Sequence, residues 1–404
     1  MGKYIVVHAG RRDDYQVALA LAEQGLLECL VTDFYAPYDH PLLGRMLRSL
    51  PATIKSRLDK RYKPGLPSTL VKISLMSVFW QMLLSLTKNL KYSTKKDNAL
   101  GYAARRYALR RGIPVLSMNT YAKAAFTDNP IRPKVLFQFH PHTTFVKNIL
   151  EEEMALNPAS VKSLSQEYEF SVPEEDLKNL TEEIHLADNI ICASSVTANS
   201  VAAEGVPREK IAVIPYGVDA AKFPYKAREP WDGREPFRIV FIGSLNQRKG
   251  ITYLLDALQD MPDTELHIIG RGIFDEEMLG RYNLDIKIHR NIPLEEMVSL
   301  LHGSHCFVLP SVVEGFGQVI LEAMSTGIPV IASENTVAAD IIRDGENGFV
   351  VPIRDAAAIR SRLELLRKEP EKTRGIGDAG RRTAQRLSWE QFRKEIVNYL
   401  SKLN

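Results

Sequence analysis

Short apolar runs alternate with segments of helical spacing along almost the whole chain. In the first half these runs predict strands at residues 4–7, 27–32, 135–139, 189–193 and 211–215. In the second half they predict strands at residues 238–242, 265–269, 285–289, 306–309, 329–332 and 348–351, with helices such as 251–258 and 318–324 between them. Continuous apolar strands separated by helices are typical of parallel sheets covered on both faces. The pattern therefore predicts an α/β fold with two parallel sheets.

The alternation breaks once, in a stretch that is rich in proline and glycine and has few apolar repeats. Such a composition is typical of a linker. The predicted boundaries are 1–222 for an N-terminal domain, 223–236 for the linker, 237–387 for a C-terminal domain and 388–404 for a final helix. Packing back onto the N-terminal domain is one option for that helix.

The composition fits an ordinary globular protein, because 45% of the 404 residues are hydrophobic and 25% are charged. These values exclude a disordered, collagenous or coiled-coil chain. The three cysteines lie far apart without CxxC spacing, so neither a disulfide framework nor a zinc site is expected.

The chain begins with the first predicted strand and not with the apolar segment of a secretory signal. The most apolar stretch, residues 70–86, contains Lys72 and Gln81 and is shorter than the ~20 residues that span a bilayer. We expect it to form a core helix or a packed surface helix. The sequence thus favours a soluble cytoplasmic protein, with peripheral contact to the inner face of a membrane as an option.

Charge is distributed unevenly along the chain. The net charge is +3, but residues 40–112 hold sixteen lysines and arginines against two acids, which leaves the remainder acidic. Within residues 42–63 the cations alternate with leucines at helical spacing, which suits an anionic lipid surface, a solvated face being the alternative. No nucleic-acid-binding motif accompanies the charge, so a nucleic-acid partner is not expected. The cations of this segment are Arg45, Arg48, Lys55, Arg57, Lys60, Arg61 and Lys63.

The strongest chemical signal lies at residues 308–331, where a strand, a loop with two glycines and a helix follow one another. The helix starts near Gln318, and its free N–H groups and dipole favour an anion. Glu314 precedes the helix and Glu322 lies one turn inside it. Carboxylates on either side of a phosphate-binding turn suit a ligand with both phosphate and hydroxyl groups. A capping glutamate with a surface glutamate is the structural alternative.

Two cations, Arg248 and Lys249, follow the strand at 238–242 and its Gly243 turn. Adjacent cations at such a turn can neutralise the diphosphate that leaves when a sugar–phosphate bond breaks. The alternative is a solvated basic turn.

The N-terminal half offers polar residues at two predicted strand ends. Gly10, Arg11 and Arg12 follow the first strand, and His140 follows the strand at 135–139, with His142 two residues later. Open α/β sheets bind ligands at the carboxyl ends of their strands. His140 is therefore a candidate for contact with a sugar hydroxyl or an acceptor oxygen, and a structural histidine is the alternative, more so for His142.

The motif EGFGQVILEAMSTGIPVIAS, with seven residues between Glu314 and Glu322, resembles the E-x7-E signature of retaining GT-B glycosyltransferases of family 4. Segments 241–250, 214–219, 269–272 and 344–348 are similar to further motifs of that family. The sequence differs from the family pattern at residues 335–340, where the family has a glycine-rich run with a glutamate and this chain has alanines and Asp340.

The resemblance implies two facing Rossmann-like domains, with a nucleotide-sugar donor on the C-terminal domain and a hydroxyl acceptor on the N-terminal domain. It implies retention of anomeric configuration by front-face attack, with neither metal nor cofactor. The residues implied on the donor side are Gly243, Arg248, Lys249, Gly270, Phe316, Gly317, Gln318, Val319 and Glu322. The implied catalytic residues are Glu314 and His140, and the acceptor side holds Gly10, Arg11 and His142.

The expected role is glycosyl transfer in cell-surface polysaccharide or glycolipid synthesis. A lipid-linked molecule is one option for the acceptor. Two other functions stay open on these residues. One is a sugar-nucleotide epimerase or phosphorylase on the same fold, and the other is a non-catalytic protein that binds sugar nucleotides.

Overall fold

Two parallel sheets form the framework of the computed structural model, which describes residues 2–89, 91–272 and 279–403. The N-terminal sheet has the order β3-β2-β1-β4-β5-β6-β7. Its strands are β1 Tyr4–Val7, β2 Leu27–Thr32, β3 Val71–Ile73, β4 Val115–Met118, β5 Val135–Gln138, β6 Asn189–Cys192 and β7 Ile211–Val213. The C-terminal sheet has the order β10-β9-β8-β11-β12-β13. Its strands are β8 Phe237–Ile242, β9 Thr264–Ile269, β10 Asp285–His289, β11 Cys306–Leu309, β12 Val330–Ser333 and β13 Phe349–Val351.

Helices connect successive strands in both domains. In the N-terminal domain they are α1 Gln16–Glu23, α2 Pro41–Arg48, α3 Ala52–Asp59, α4 Leu75–Thr87, α5 Lys91–Arg111, α6 Ala122–Phe126, α7 Thr143–Leu156, α8 Val161–Leu164, α9 Tyr168–Ser171, α10 Glu174–Leu186 and α11 Ser195–Ala203. In the second half they are α12 Ile251–Leu258, α13 Leu294–Gly303, α14 Gln318–Thr326, α15 Ala338–Ile341, α16 Ala356–Lys368, α17 Pro370–Arg386 and α18 Trp389–Ser401. The predicted architecture of two parallel α/β sheets is therefore confirmed.

The sequence pattern did not predict two strands of the N-terminal sheet, β3 and β4. β3 is a three-residue edge strand inside the apolar stretch that predicted a helix, and β4 is a four-residue central strand. Both are too short for their periodicity to distinguish strand from helix. β4 pairs with β1 on one side and β5 on the other, so tertiary pairing and not local pattern decides its conformation.

Of the two expectations for residues 70–86, the core helix is wrong, and the helix lies at the surface. Helix α4 occupies most of this stretch, but Ser77 is its one fully buried residue. Six of its large apolar side chains are exposed: Leu75, Met76, Val78, Phe79, Met82 and Leu86. Among the described residues, no helix combines the length and apolarity needed to cross a bilayer.

Each sheet carries its own hydrophobic core, and the last helix returns to the first domain. Phe392, Ile396 and Leu400 of α18 join the N-terminal core, although the preceding α17 packs on α14 of the C-terminal domain. A smaller cluster of Val146, Leu150, Leu164 and Val313 joins the domains beside the cleft. The chain thus crosses between the domains twice, once in each direction.

The carboxyl ends of the strands in both sheets face the cleft between the domains. The loops after β1, β5, β8 and β11 contact one another there, and they carry most of the residues that the sequence singled out. Parallel sheets place their ligand-binding loops at this edge.

Candidate active site

The loop after β11 meets the turn after β5 across the cleft. A Cβ atom on Gly315 would lie 3.0 Å from Pro141 Cδ and 3.2 Å from the Phe139 carbonyl oxygen, so only glycine fits this close approach. The Gly315 carbonyl accepts hydrogen bonds from the hydroxyls of Ser194 and Thr197 in the N-terminal domain. These contacts bring Glu314 and His140 to the same place.

Arg248 bridges the two domains. Its guanidinium donates to His140 Nε2 at 2.7 Å, to Glu167 Oε2 at 3.0 Å and to Glu169 Oε1 at 3.4 Å, and its Nε donates to the Val313 carbonyl at 3.3 Å. Three of these four partners belong to the N-terminal domain or its cleft edge. Arg248 is therefore not the solvated turn residue of the structural alternative.

His140 is held neutral, in one tautomer. A guanidinium can only donate, so His140 Nε2 accepts and the ring proton lies on Nδ1, which faces the Pro141 carbonyl at 3.0 Å. Burial, aided by the Arg248 charge, lowers the pKa of His140 to about 4. While Arg248 keeps this contact, His140 cannot take up a proton at Nε2.

Lys249 forms an ion pair with Glu314, and both side chains are mostly buried. Burial first, and then the neighbouring Arg248 charge, lowers the pKa of Lys249 to about 8. The charge of the Glu167 carboxylate opposes that lowering of the Lys249 pKa. The Lys249 ammonium thus already contacts an anion of the protein, the Glu314 carboxylate.

Glycines allow the loops after β8, β9 and β11 to pack tightly. A Cβ atom on Gly270 would lie 1.8 Å from the Gly243 carbonyl oxygen, and one on Gly250 would lie 1.9 Å from the Pro310 carbonyl oxygen. The loops after β8, β9 and β11 therefore lie against one another, and this packing fixes the backbone positions of Arg248 and Lys249.

Helix α14 begins at the predicted anion-binding turn. Gly317 precedes it with φ of 82°, a left-handed conformation that favours glycine. Phe316 is buried edge-on against Tyr216, with ring centroids 5.2 Å apart, and Gln318 Nε2 donates to the Gly217 carbonyl at 2.8 Å. Val319 follows, half-buried. The free N–H groups of this helix start are thus held rigidly beside Glu314.

Glu322 lies one turn into α14, on the face that also carries Gln318 and Ser325. Ser325 donates to the Phe223 carbonyl at 2.9 Å, so this face looks onto the segment that leads into the linker. Burial raises the pKa of Glu322 to about 7, and the Lys222 charge acts in the opposite direction. A buried carboxyl with a raised pKa is a functional-site candidate.

A cavity of about 400 Å³ opens from His140 and Arg248 into the N-terminal domain. Arg12 lies on its wall, 4.5 Å above the Phe139 ring. In the described part of the chain, no group donates a hydrogen bond to Asn119 Oδ1 or Gln138 Oε1, although both side chains are buried. Burial also raises the pKa of Asp97, on the same wall, to about 6. Such buried acceptors are satisfied by a ligand that donates hydrogen bonds.

Two of the three residues expected on the acceptor side, Gly10 and Arg11, stand apart from this cavity, whereas His142 lies on its wall. Gly10 donates its N–H to Asp33 at 2.9 Å, and Arg11 pairs with Asp14 at the surface, so Arg12 and not Arg11 reaches the cavity. The His142 side chain is 1% exposed and lies 3.3 Å from Glu204. His142 thus lies on the cavity wall and contacts Glu204, and its place on the acceptor side stays a prediction.

The sequence reasoning missed the carboxylates that close the cleft. Glu167 accepts from both Asn246 and Arg248, and Glu153 accepts from Gln247, Tyr253 and Arg354 of the C-terminal domain. Asp340, the departure from the family motif, accepts from the backbone N–H of Ser195 across the interface. No local motif marks these residues, because each acts through a distant partner. Among the described residues, no group of three or more His, Cys, Asp and Glu side chains has the arrangement of a metal site.

Comparisons with known proteins agree with the resemblance in the second domain. Residues 225–383 match the family model of the glycosyl transferases group 1. The chain is 33% identical over 193 residues to the putative glycosyltransferase EpsD of Bacillus subtilis, covering 44% of this chain and 48% of that one. It is 29% identical over 197 residues to phosphatidyl-myo-inositol mannosyltransferase of Mycobacterium tuberculosis, covering 46% and 52%. The chain spans about half the length of the curated relatives it matches.

The likeness to solved structures extends over the whole chain. Anabaena HepE in complex with UDP superposes with a TM-score of 0.65 at 17% identity, covering 100% of both chains. The same protein in complex with UDP-glucose gives a TM-score of 0.61 at 18% identity, again covering 100% of both. This shows that the fold is the predicted GT-B architecture of two facing Rossmann-like domains.

Proposed function

We propose that the protein transfers a sugar from a nucleotide-diphosphate donor to a hydroxyl acceptor. The observation that carries the proposal is the meeting of Arg248, Lys249, Glu314 and the start of α14 with His140 at the mouth of a polar cavity. One side of the cleft thus suits a diphosphate, and the other suits a hydroxyl-bearing molecule. The group 1 match of residues 225–383 supports the donor side.

The donor diphosphate would replace carboxylates that the protein now supplies. Glu167 forms an ion pair with Arg248, and Glu314 forms one with Lys249, so each cation already contacts a carboxylate oxygen. Phosphate oxygens are equivalent partners for both cations and for the free N–H groups of α14. The donor-side residues of the proposal are Gly243, Arg248, Lys249, Gly270, Phe316, Gly317, Gln318, Val319 and Glu322.

The chemistry of the proposal is that of the E-x7-E, family 4 enzymes: transfer with retention, by front-face attack, without a metal or another cofactor. The bond from the anomeric carbon to the diphosphate breaks as the acceptor oxygen bonds to the same face. The acceptor's proton passes to the leaving phosphate. Arg248 and Lys249 would stabilise the negative charge on the leaving group, the work a metal does elsewhere. Full activity in excess chelator would support this, and dependence on added Mg²⁺ would refute it.

The acceptor would enter the cavity of the N-terminal domain. Asn119, Gln138 and Asp97 offer oxygens that accept hydrogen bonds, whereas Arg12 and Lys96 offer positive charge. The combination suits a sugar or polyol with hydroxyls and an anionic group, such as a lipid-linked phosphate. His140 would contact the acceptor oxygen as a fixed neutral group rather than as a proton acceptor.

The competing functions predict different products. A transferase releases nucleoside diphosphate only when an acceptor is present, an epimerase converts the donor without releasing it, and a phosphorylase consumes phosphate. A non-catalytic binding protein leaves the donor intact. A thermal-shift panel of UDP-, GDP-, ADP- and dTDP-sugars, followed by a product assay with the best binder, separates them.

Replacement of Glu322 by Ala should weaken binding of UDP-glucose by about tenfold to a hundredfold, because a hydrogen bond to a charged group is worth about 1.5–3 kcal/mol. The ribose hydroxyls donate to the ionised carboxyl, so affinity of the wild type should rise with pH through about 7. It should fall again above about 8, where Lys249 loses its charge. Titration calorimetry in buffers of different ionisation enthalpy would detect the proton released near pH 7. Unchanged affinity and proton release in Glu322→Ala would contradict the assignment.

We further propose that residues 42–63 attract the protein to an anionic membrane, on the inner face of the cytoplasmic membrane. Helices α2 and α3 bury only Gly44 between them, and Leu42, Leu43, Met46 and Ile54 are exposed. Two of the seven cations form ion pairs, Arg61 with Asp33 and Lys63 with Asp14, and Arg48 donates to the Tyr38 carbonyl at 2.8 Å while it keeps its charge. The remaining five carry the electrostatic attraction.

The triple variant Lys55→Ser, Arg57→Ser and Lys60→Ser should lose most of its binding to anionic vesicles at low salt. Each cation near such a surface contributes about 1 kcal/mol, so the expected loss is about a hundredfold. Vesicle co-sedimentation measures it, with Lys368→Ser, Arg382→Ser and Lys402→Ser as the charge-matched control. Equal losses in the two triple variants would mean that net charge, and not this segment, matters.

A further inference from the structure

Helix α4 presents an apolar stripe to solvent. Leu75, Phe79, Met82 and Leu86 repeat at intervals of four, three and four residues, so they lie on one face of the helix. Their exposed fractions are 80%, 46%, 56% and 72%. No charged residue interrupts the helix between 75 and 87. A contiguous patch of this kind marks an interaction surface.

The opposite face of α4 fixes the direction of this stripe. Trp80 stacks on Tyr92 of α5, with ring centroids 5.7 Å apart and planes 14° apart, and Lys95 lies 4.8 Å above the Trp80 ring. Ser74 caps the start of the helix by accepting from the N–H of Ser77. The α4–α5 pair therefore holds the stripe outward, and of the stripe residues Phe79 also contacts Trp80 edge-on, with ring centroids 5.0 Å apart.

An apolar groove of about 650 Å³ runs beside the stripe, between α4, α5 and the edge strand β3. Its lining includes the apolar and aromatic residues Ile73, Trp80, Tyr102 and Tyr107. The cations Lys72, Lys95 and Arg106 also line it. A groove with both apolar and cationic lining matches a molecule with an aliphatic chain and an anionic head.

The charge around α4 identifies the occupant. Residues 68–112 contain nine lysines and arginines and one acid, Asp97, which faces the acceptor cavity. A second copy docked on this face would bring the same cations together, which is unfavourable. An anionic lipid surface complements both the stripe and the cations around it.

We propose that α4 inserts its Leu75–Phe79–Met82–Leu86 stripe into an anionic lipid bilayer, with lipid chains reaching the α4–α5 groove. β3 and β2 are parallel neighbours, so α4 starts at the same sheet edge from which the α2–α3 segment leaves. The α2–α3 segment and the α4 stripe contribute differently to membrane binding. The α2–α3 cations act at a distance through charge, and the α4 stripe holds the protein by apolar burial. The proposal does not depend on glycosyl transfer.

The test variant is Leu75→Ser with Phe79→Ser, which removes apolar area and leaves the net charge unchanged. The matched control is Leu156→Ser with Val161→Ser, whose side chains are 63% and 44% exposed on another surface. Co-sedimentation uses vesicles of phosphatidylcholine alone and of phosphatidylcholine with phosphatidylglycerol, at low and high salt. We expect the α4 variant to partition at least about tenfold less onto the anionic vesicles, and the control to behave as wild type.

The proposal would be overturned if the wild type did not bind anionic vesicles, or if the two double variants bound them equally. It would also be overturned if the wild type were a dimer in solution and the α4 variant, but not the control variant, were a monomer. The last would identify a second copy as the occupant. The melting temperature of each variant shows that the fold survives. Because nucleotide binding is measured separately with UDP-glucose, failure here leaves the proposed activity untouched, and the reverse also holds.

Discussion

Replacement of Glu314 by Gln is expected to lower turnover by about 10²–10³-fold while affinity for UDP stays the same or rises. The Glu314 carboxylate lies at the loop before α14, where the sugar end of the donor would sit, and a negative charge there stabilises the positive charge that develops at the anomeric carbon. The same substitution removes the anion that now occupies Lys249, so the ammonium is free for the diphosphate. Steady-state kinetics and calorimetry with UDP separate the two effects.

Glu322→Gln provides the matched control for that experiment. Both substitutions remove one carboxylate from the same motif and keep its shape, but Glu322 lies on the other face of the turn, towards Lys222. We expect Glu322→Gln to weaken UDP binding with a smaller effect on turnover. Parallel losses of turnover and UDP affinity in Glu314→Gln would assign Glu314 to nucleotide binding instead.

Arg248→Ala should lower kcat/KM by about 10²–10³-fold, because it removes one of the two cations that, in the proposed mechanism, would stabilise the departing diphosphate. It should also release His140 Nε2, Glu167 and Glu169 from their shared partner. Freed of the guanidinium, His140 should titrate at a higher pH than about 4, which NMR of the imidazole would detect. Arg248→Lys should recover part of the activity, since an ammonium keeps the charge but not the three-way geometry.

Arg354→Ala controls for loosening of the domain interface. Arg354 also joins the domains, through Glu152 and Glu153, but it lies outside the loop that carries Arg248 and Lys249. A loss of activity as large in Arg354→Ala as in Arg248→Ala would mean that both act through domain closure. A companion variant, Glu167→Gln, should tighten UDP binding, because the diphosphate no longer has to displace a carboxylate from Arg248.

The parts of the site that the sequence could predict are those whose physics is local. A left-handed glycine before a helix, a carboxylate one turn inside it and paired cations after a strand all occupy a few consecutive residues. Local spacing therefore made Gly317, Glu322 and the Arg248–Lys249 pair candidates, and the family resemblance supplied their expected donor-side roles. His140 was found because a buried strand ends just before it, at an edge where parallel sheets bind ligands.

The parts that sequence reasoning missed depend on distant partners. Arg11 and Arg12 are adjacent and chemically alike, yet the turn of the backbone sends one to Asp14 and the other to the cavity. Glu153 and Glu167 carry no motif, because their roles come from residues about 80 to 200 positions away. Likewise, the apolar composition of α4 predicted burial, and only the packing of α4 on α5 shows which face stays exposed.

By itself, the sequence determined the alternation of strands and helices in two parallel sheets and predicted the loops that carry Arg248, Lys249 and Glu314, because hydrophobic period, glycine freedom and helix dipoles act within a few residues. The tertiary structure alone decided which carboxylates stand at the cations, which tautomer His140 holds and which apolar helix lies on the surface. These properties are set by burial and by the approach of chain segments far apart in sequence, and no local pattern encodes either.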